Sequence, residues 1–126
     1  MTKRATYISM GAVPLYVCFA KSKAEFQGEM KALKFSDPPE FISPGADATC
    51  HHFSPPGRTA IACICYDAKK HKGRDKGEII GLLVHEAVHV LQFANKEMGE
   101  TEPGMEYEAY FVQRLTQFLI SQAKII

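Results

Sequence analysis

The chain has 126 residues, 46% hydrophobic and 23% charged, with 15 Lys and Arg against 14 Asp and Glu. That length fits one domain spanning residues 1–126, and the composition excludes a disordered or collagen-like chain. A net charge of +1 does not advertise a nucleic-acid partner, and four unevenly spaced cysteines without a Cys-x-x-Cys pair argue against a disulfide scaffold or a zinc ribbon.

The first segments read as the start of a sheet and its cover. The apolar stretch from Ala5 to Ala20 follows Lys3 and Arg4 as a signal peptide would, but it holds Tyr7, Ser9, Pro14 and Tyr16 and no small-x-small cleavage site follows. It is expected to supply a buried strand over Val13 to Ala20. Ser22-Lys23-Ala24-Glu25 is a capping box, and Phe26, Met30 and Leu33 continue it as an amphipathic helix to about Lys34. After a Pro-rich connection, Ala48 to Phe53 and Thr59 to Asp67 predict a hairpin around Ser54-Pro55-Pro56-Gly57-Arg58. Cys63 and Cys65 are expected to diverge across their strand and to be structural. Cys50-His51-His52 offers His51 or His52 as a lining residue for a cleft.

The basic segment Lys69 to Lys76 is expected to be a solvated loop. Asp75-Lys76-Gly77-Glu78 is a second capping box. It opens a helix from Ile79 to Ala94 that is apolar on nearly all sides and is expected inside the domain. Even so, no apolar run in the chain is expected to reach the roughly 20 residues of a membrane span. Gly99 is the predicted stop. Thr101-Glu102-Pro103 is expected to start the last helix, running to about Gln122 and folding back antiparallel. The fold class is therefore α+β: a small antiparallel or mixed sheet, an active-site helix and an antiparallel C-terminal helix.

Inside the second helix lies His85-Glu86-Ala87-Val88-His89, an HExxH match. Residues four apart share a helical face, so two imidazoles can point at one ion. Glu86 is rotated by about 100° to stand beside that ion and take a proton from its water. Zinc suits nitrogen and carboxylate donors in tetrahedral geometry, with the fourth place left to water. Three buried polar groups on an apolar helix cost several kcal/mol unless something pairs them.

A catalytic zinc needs a third protein ligand. The last helix offers Glu106 and Glu108 in Glu106-Tyr107-Glu108-Ala109-Tyr110. Glu108 shares the face of Met105, Phe111, Val112, Leu115 and Leu119 and so points inward. Glu106 has the small Ala109 three positions on, where two helices can approach closely. Glu106 is preferred and Glu108 is the alternative; the other acid would orient a ligand histidine. Tyr107 and Tyr110 are candidates to donate to the developing oxyanion.

The segment His85-Glu86-Ala87-Val88-His89-Val90-Leu91-Gln92, with Glu106-Tyr107-Glu108-Ala109-Tyr110-Phe111-Val112-Gln113, resembles the small gluzincins. These are zincins with HExxH and a downstream glutamate on the next helix, and among them the match is to compact, often phage- or prophage-encoded metallopeptidases. It covers about a third of the chain. The resemblance implies a minimal zincin-like metallopeptidase domain with Zn2+ as cofactor and a peptide or protein as substrate, acting in the cytoplasm (the host's, if phage-encoded). It implies Glu106 as ligand and puts Tyr110 where related enzymes carry an Asp that steadies a ligand histidine. It also implies that an edge strand of the hairpin pairs with an extended peptide. The alternative function is a catalytically silent zinc-binding regulator or structural phage protein.

Overall fold

Residues 2–125 are described by the structure, a computed structural model. Seven elements follow one another: β1 (Thr6–Ile8), β2 (Leu15–Ala20), α1 (Lys23–Ala32), β3 (Ala48–Phe53), β4 (Ala60–Tyr66), α2 (Lys76–Met98) and α3 (Met105–Gln122). The strands form one mixed sheet in the order β1-β2-β4-β3. β1 and β3 lie antiparallel to their neighbours, whereas β2 and β4 run parallel with Cys18 opposite Cys63. α1 makes the crossover that parallel strands require. The α+β class is as expected from the sequence.

Period-two alternation splits the core between the two faces of the sheet. Val17, Phe19, Ala62 and Ile64 pack under α2 and α3 with Leu83, Val90, Leu115 and Leu119. Cys18, Ala20, Cys63 and Cys65 pack under α1 with Phe26 and Met30. β4 is buried at every position because it is central and covered on both sides.

Local chemistry fixes the helix ends. Ser22 Oγ accepts from Glu25 N at 3.1 Å and Asp75 Oδ2 from Glu78 N at 3.1 Å, so both predicted N-caps hold. Gly99 closes α2 in the left-handed region at φ 66°, which a Cβ would oppose.

Some sequence expectations change. β1 is a three-residue strand that the apolar stretch did not announce. The last helix starts at Met105 with Gly104 as N-cap, so Thr101, Glu102 and Pro103 lie outside it. Cys63 and Cys65 do not diverge: residues two apart on a strand share a face, and their sulfurs stand 3.9 Å apart. α2 is not enclosed, since His85, Gln92 and Lys96 are exposed. By length and composition α2 is apolar enough to cross a membrane, contrary to expectation, but here one face packs on the sheet and against α3.

The N-terminal arm is tied to α1 through a buried acid. Glu29 accepts from Arg4 Nε at 2.8 Å, Arg4 Nη2 at 2.7 Å, Ala5 N at 3.0 Å and Tyr7 Oη at 2.7 Å. Burial alone would raise its pKa, but the hydrogen bonds from Arg4, Tyr7 and Ala5 and the charge of Arg4 outweigh it and hold the carboxyl below its usual range. The arm crosses α1 at Gly28, where a Cβ would stand 1.9 Å from the Lys3 carbonyl oxygen.

Candidate metal centre

The helical repeat brings the HExxH side chains together as the spacing predicts. His85 Nε2 and His89 Nε2 are 3.1 Å apart, with their rings edge-to-face at 80°. A tetrahedral zinc with Zn–N bonds of about 2.05 Å would set that edge at about 3.3 Å. One donor atom from each of His85, Glu86 and His89 lies within 4.8 Å of the other two, a donor set that can hold a metal ion. His89 Nδ1 pairs with Gln92 Oε1 at 3.1 Å. With Nδ1 donating, Nε2 keeps its lone pair for a metal.

Glu86 is the unusual member. Its residue is 3% exposed, and its Oε2 is buried without a hydrogen-bond partner among the described residues. Burial raises its pKa, and the nearby His85 and His89 pull it down only in part. A buried polar atom left unpaired costs about 1–3 kcal/mol, so this carboxylate is held at a cost that a metal-bound water would offset.

The edge strand β3 frames the site and separates its two histidines. Cys50 packs with the α2 side of the core, and His52 lies flat on Phe93 of α2 at 4.2 Å between ring centroids. Burial lowers the His52 pKa, helped by the charge of His89. The Cys50 thiol is pushed up by burial and then by the charge of Glu86. His51 faces the other way, stacks on Phe26 at 5.2 Å and reaches the Phe41 carbonyl at 3.1 Å. Only His52 of the pair can line the cleft.

Neither acid on α3 joins the donor group among the described residues. Glu106 is exposed and Glu108 half-buried on the first turns of α3. α2 continues from His89 to Met98, about 13 Å of further helix, before the chain turns back. That length sets the start of α3 beside the end of α2. Tyr107 is half-buried, with its hydroxyl enclosed and unpartnered among the described residues; burial raises its pKa, followed by the charges of Glu108 and Glu100. Tyr110 is 64% exposed. The side chain that meets His89 here is Gln92.

A groove of about 440 Å³ adjoins His85 and Glu86 and extends past Leu82, Gly81 and Ala48 to Arg74. A larger hollow of about 740 Å³ lies on the α1 face, lined by neither histidine of the pair. Arg74 Nη1 donates to His71 Nδ1 at 2.8 Å, and His71 Nε2 donates to the Asp47 carbonyl at 2.8 Å. His71 is fully buried and stacks on Tyr66 at 5.0 Å, so the segment expected to be a solvated loop carries an internal anchor. Sequence reading missed Gln92, His71 and Arg74. The first stands three positions after His89 and the other two stand three apart, the only signal each gave. No family model, no curated protein and no solved structure matches the chain.

Proposed function

We propose that this chain is a zinc-dependent peptidase of the minigluzincin kind. The observation that carries the proposal is the pair of Nε2 atoms 3.1 Å apart beside a buried carboxylate oxygen that has no partner among the described residues. His85 and His89 would hold the zinc with one acid of α3, Glu106 first and Glu108 as alternative. When bound, zinc lowers the pKa of a coordinated water and polarises the scissile carbonyl. Glu86 accepts the water proton and returns it to the leaving amine. Gln92 fixes the His89 ring so that Nε2 stays a donor to the metal. The substrate is an extended peptide pairing with the free edge of β3.

A second reading is favoured by one observation: neither α3 acid joins the donor group. A site with two histidines suits a zinc-binding regulator or phage structural protein without turnover. Metal content and peptide-library cleavage separate the two. The peptidase reading expects about one zinc per chain in the wild type, loss of it in His85→Ala, and retention of zinc without turnover in Glu86→Gln. Cleavage that survives Glu86→Gln refutes the general-base role. Stoichiometric zinc with no cleavage of any library member leaves the silent reading.

A further inference from the structure

Gly81 sits inside α2, where a glycine is less favourable than alanine by about 1 kcal/mol. Nothing in the packing demands it: a Cβ built there meets no atom within 4 Å, and its φ is an ordinary helical one. Its effect is to leave the wall of the groove open one turn before His85. Opposite stands Ala48, another small residue, at the start of the edge strand. At the far end stands Arg74, whose guanidinium has one close anchor, the fully buried His71. Its ion pairs with Glu78 at 3.4 Å and Asp47 at 3.8 Å are long and solvent-exposed. Such exposed pairs contribute little to stability. A guanidinium held in place by a buried ring is pre-organised for two-pronged carboxylate binding.

The direction of a bound peptide follows from the sheet. β3 runs from Ala48 at the Arg74 end of the groove to Phe53 beyond His52. A peptide adding antiparallel to β3, the more stable pairing, therefore runs toward Arg74 with its C-terminal half. Arg74 meets α2 at Glu78, which precedes His85 by about 10.5 Å of helix. An extended chain spans that in about three residues.

We propose that this groove is a carboxylate-recognising subsite, in which Arg74 takes an acid about three residues beyond the bond to be cleaved and the space beside Gly81 takes the intervening side chains. The acid is the C-terminal carboxylate of a short peptide or the side chain of Asp or Glu. The subsite rests on the peptidase reading for its purpose but not for its test, which needs no metal and no turnover.

The test is peptide binding to the full chain in EDTA, read by amide chemical shifts. Three probes share one acetylated oligoalanine backbone. The first ends in a free carboxylate, the second in a carboxamide, and the third is the carboxamide with its last alanine replaced by glutamate. The free acid is expected to bind at least fivefold tighter than the neutral amide and to shift the amides of Ala48, Arg74 and Gly81. If the glutamate-bearing amide recovers that affinity, a side-chain acid is accepted; if it does not, the terminus is the recognised group. Arg74→Met should abolish the preference. Because Arg74 also braces His71, Gly81→Leu is the second variant: it should keep or raise Tm while weakening the free acid at least fivefold. Equal binding of acid and amide, no binding of any probe, or a preference surviving in Arg74→Met overturns the subsite. A preference found in a chain that takes up no zinc would sink the peptidase reading and leave the subsite standing.

Discussion

Replacing Glu86 by Met should make the metal-free protein more stable while destroying any hydrolysis. The residue is 3% exposed and one carboxylate oxygen has no partner among the described residues. Met matches it in length and carries no charge into the core. Relief of one unpaired buried polar group is worth about 1–3 kcal/mol. For 126 residues the unfolding entropy is about 0.26 kcal/mol/K, so each kcal/mol moves Tm by about 4 °C. The expected gain at pH 7.5 is about 4–12 °C. Its pH dependence has a fixed sign. The folded pKa of Glu86 lies above the unfolded value of about 4.3, so the folded state holds the proton more tightly. Wild-type stability from this group therefore falls as pH rises from about 4 through the raised pKa and is level above it. The gap between variant and wild type should shrink toward pH 4. Calorimetry in EDTA from pH 4 to 8 measures it. An unchanged or lower Tm at pH 7.5, or a gap that does not close in acid, refutes the account of Glu86 as an uncompensated charge.

Glu29 should behave in the opposite way. Its folded pKa is depressed, so its contribution is present above about pH 4.3 and is lost as pH falls through the folded value. Glu29→Gln should cost about 1–3 kcal/mol at pH 7 and almost nothing in strong acid, by urea titration at both pH values. Gly28→Ala should lower Tm although alanine favours a helix, because its Cβ would meet the Lys3 carbonyl at 1.9 Å. Gly81→Ala, with open space around its Cβ, should instead gain about 0.5–1 kcal/mol, and thermal unfolding of the two variants side by side tests both. Glu106→Gln should weaken zinc at least tenfold and Glu108→Gln less, by competition with a chelator; the reverse order makes Glu108 the ligand, and no effect from either removes α3 from the site.

What the sequence revealed follows from how local each signal is. Both N-caps, the Gly99 stop and the His85–His89 pairing depend on residues three or four apart, and all stand as expected. The β3–β4 hairpin announces itself through its Pro-Gly turn. β1 is too short to show a period and is defined by pairing with β2. The start of α3 was misplaced because Pro103 is compatible with a first turn without requiring one. Counting from His89 to Glu106 or Glu108 gives a separation along the chain but not the height at which α3 passes α2. That height depends on how far α2 runs beyond His89, which is set by Gly99. His71 looked like one more polar residue in a basic loop, because its partners come from Asp47 and Tyr66.

Two buried glutamates of this fold are treated in opposite ways. Glu29 is enclosed by four hydrogen bonds from three residues, a complete set that turns a buried charge into a fastening for the N-terminal arm. Glu86 is also enclosed, yet one of its oxygens has no partner among the described residues. A fold that can satisfy one buried carboxylate so fully has no structural reason to leave another unpaired in the middle of a well-capped helix. The same stripe of α2 holds a glycine that packing does not require and two imidazoles whose nitrogens face one another. The unpaired carboxylate oxygen and the mid-helix glycine each cost stability. The glycine, His85 and Glu86 line a single groove beside the start of the edge strand. On the proposed peptidase reading, an ion with its water would answer the unpaired carboxylate and the two facing nitrogens together.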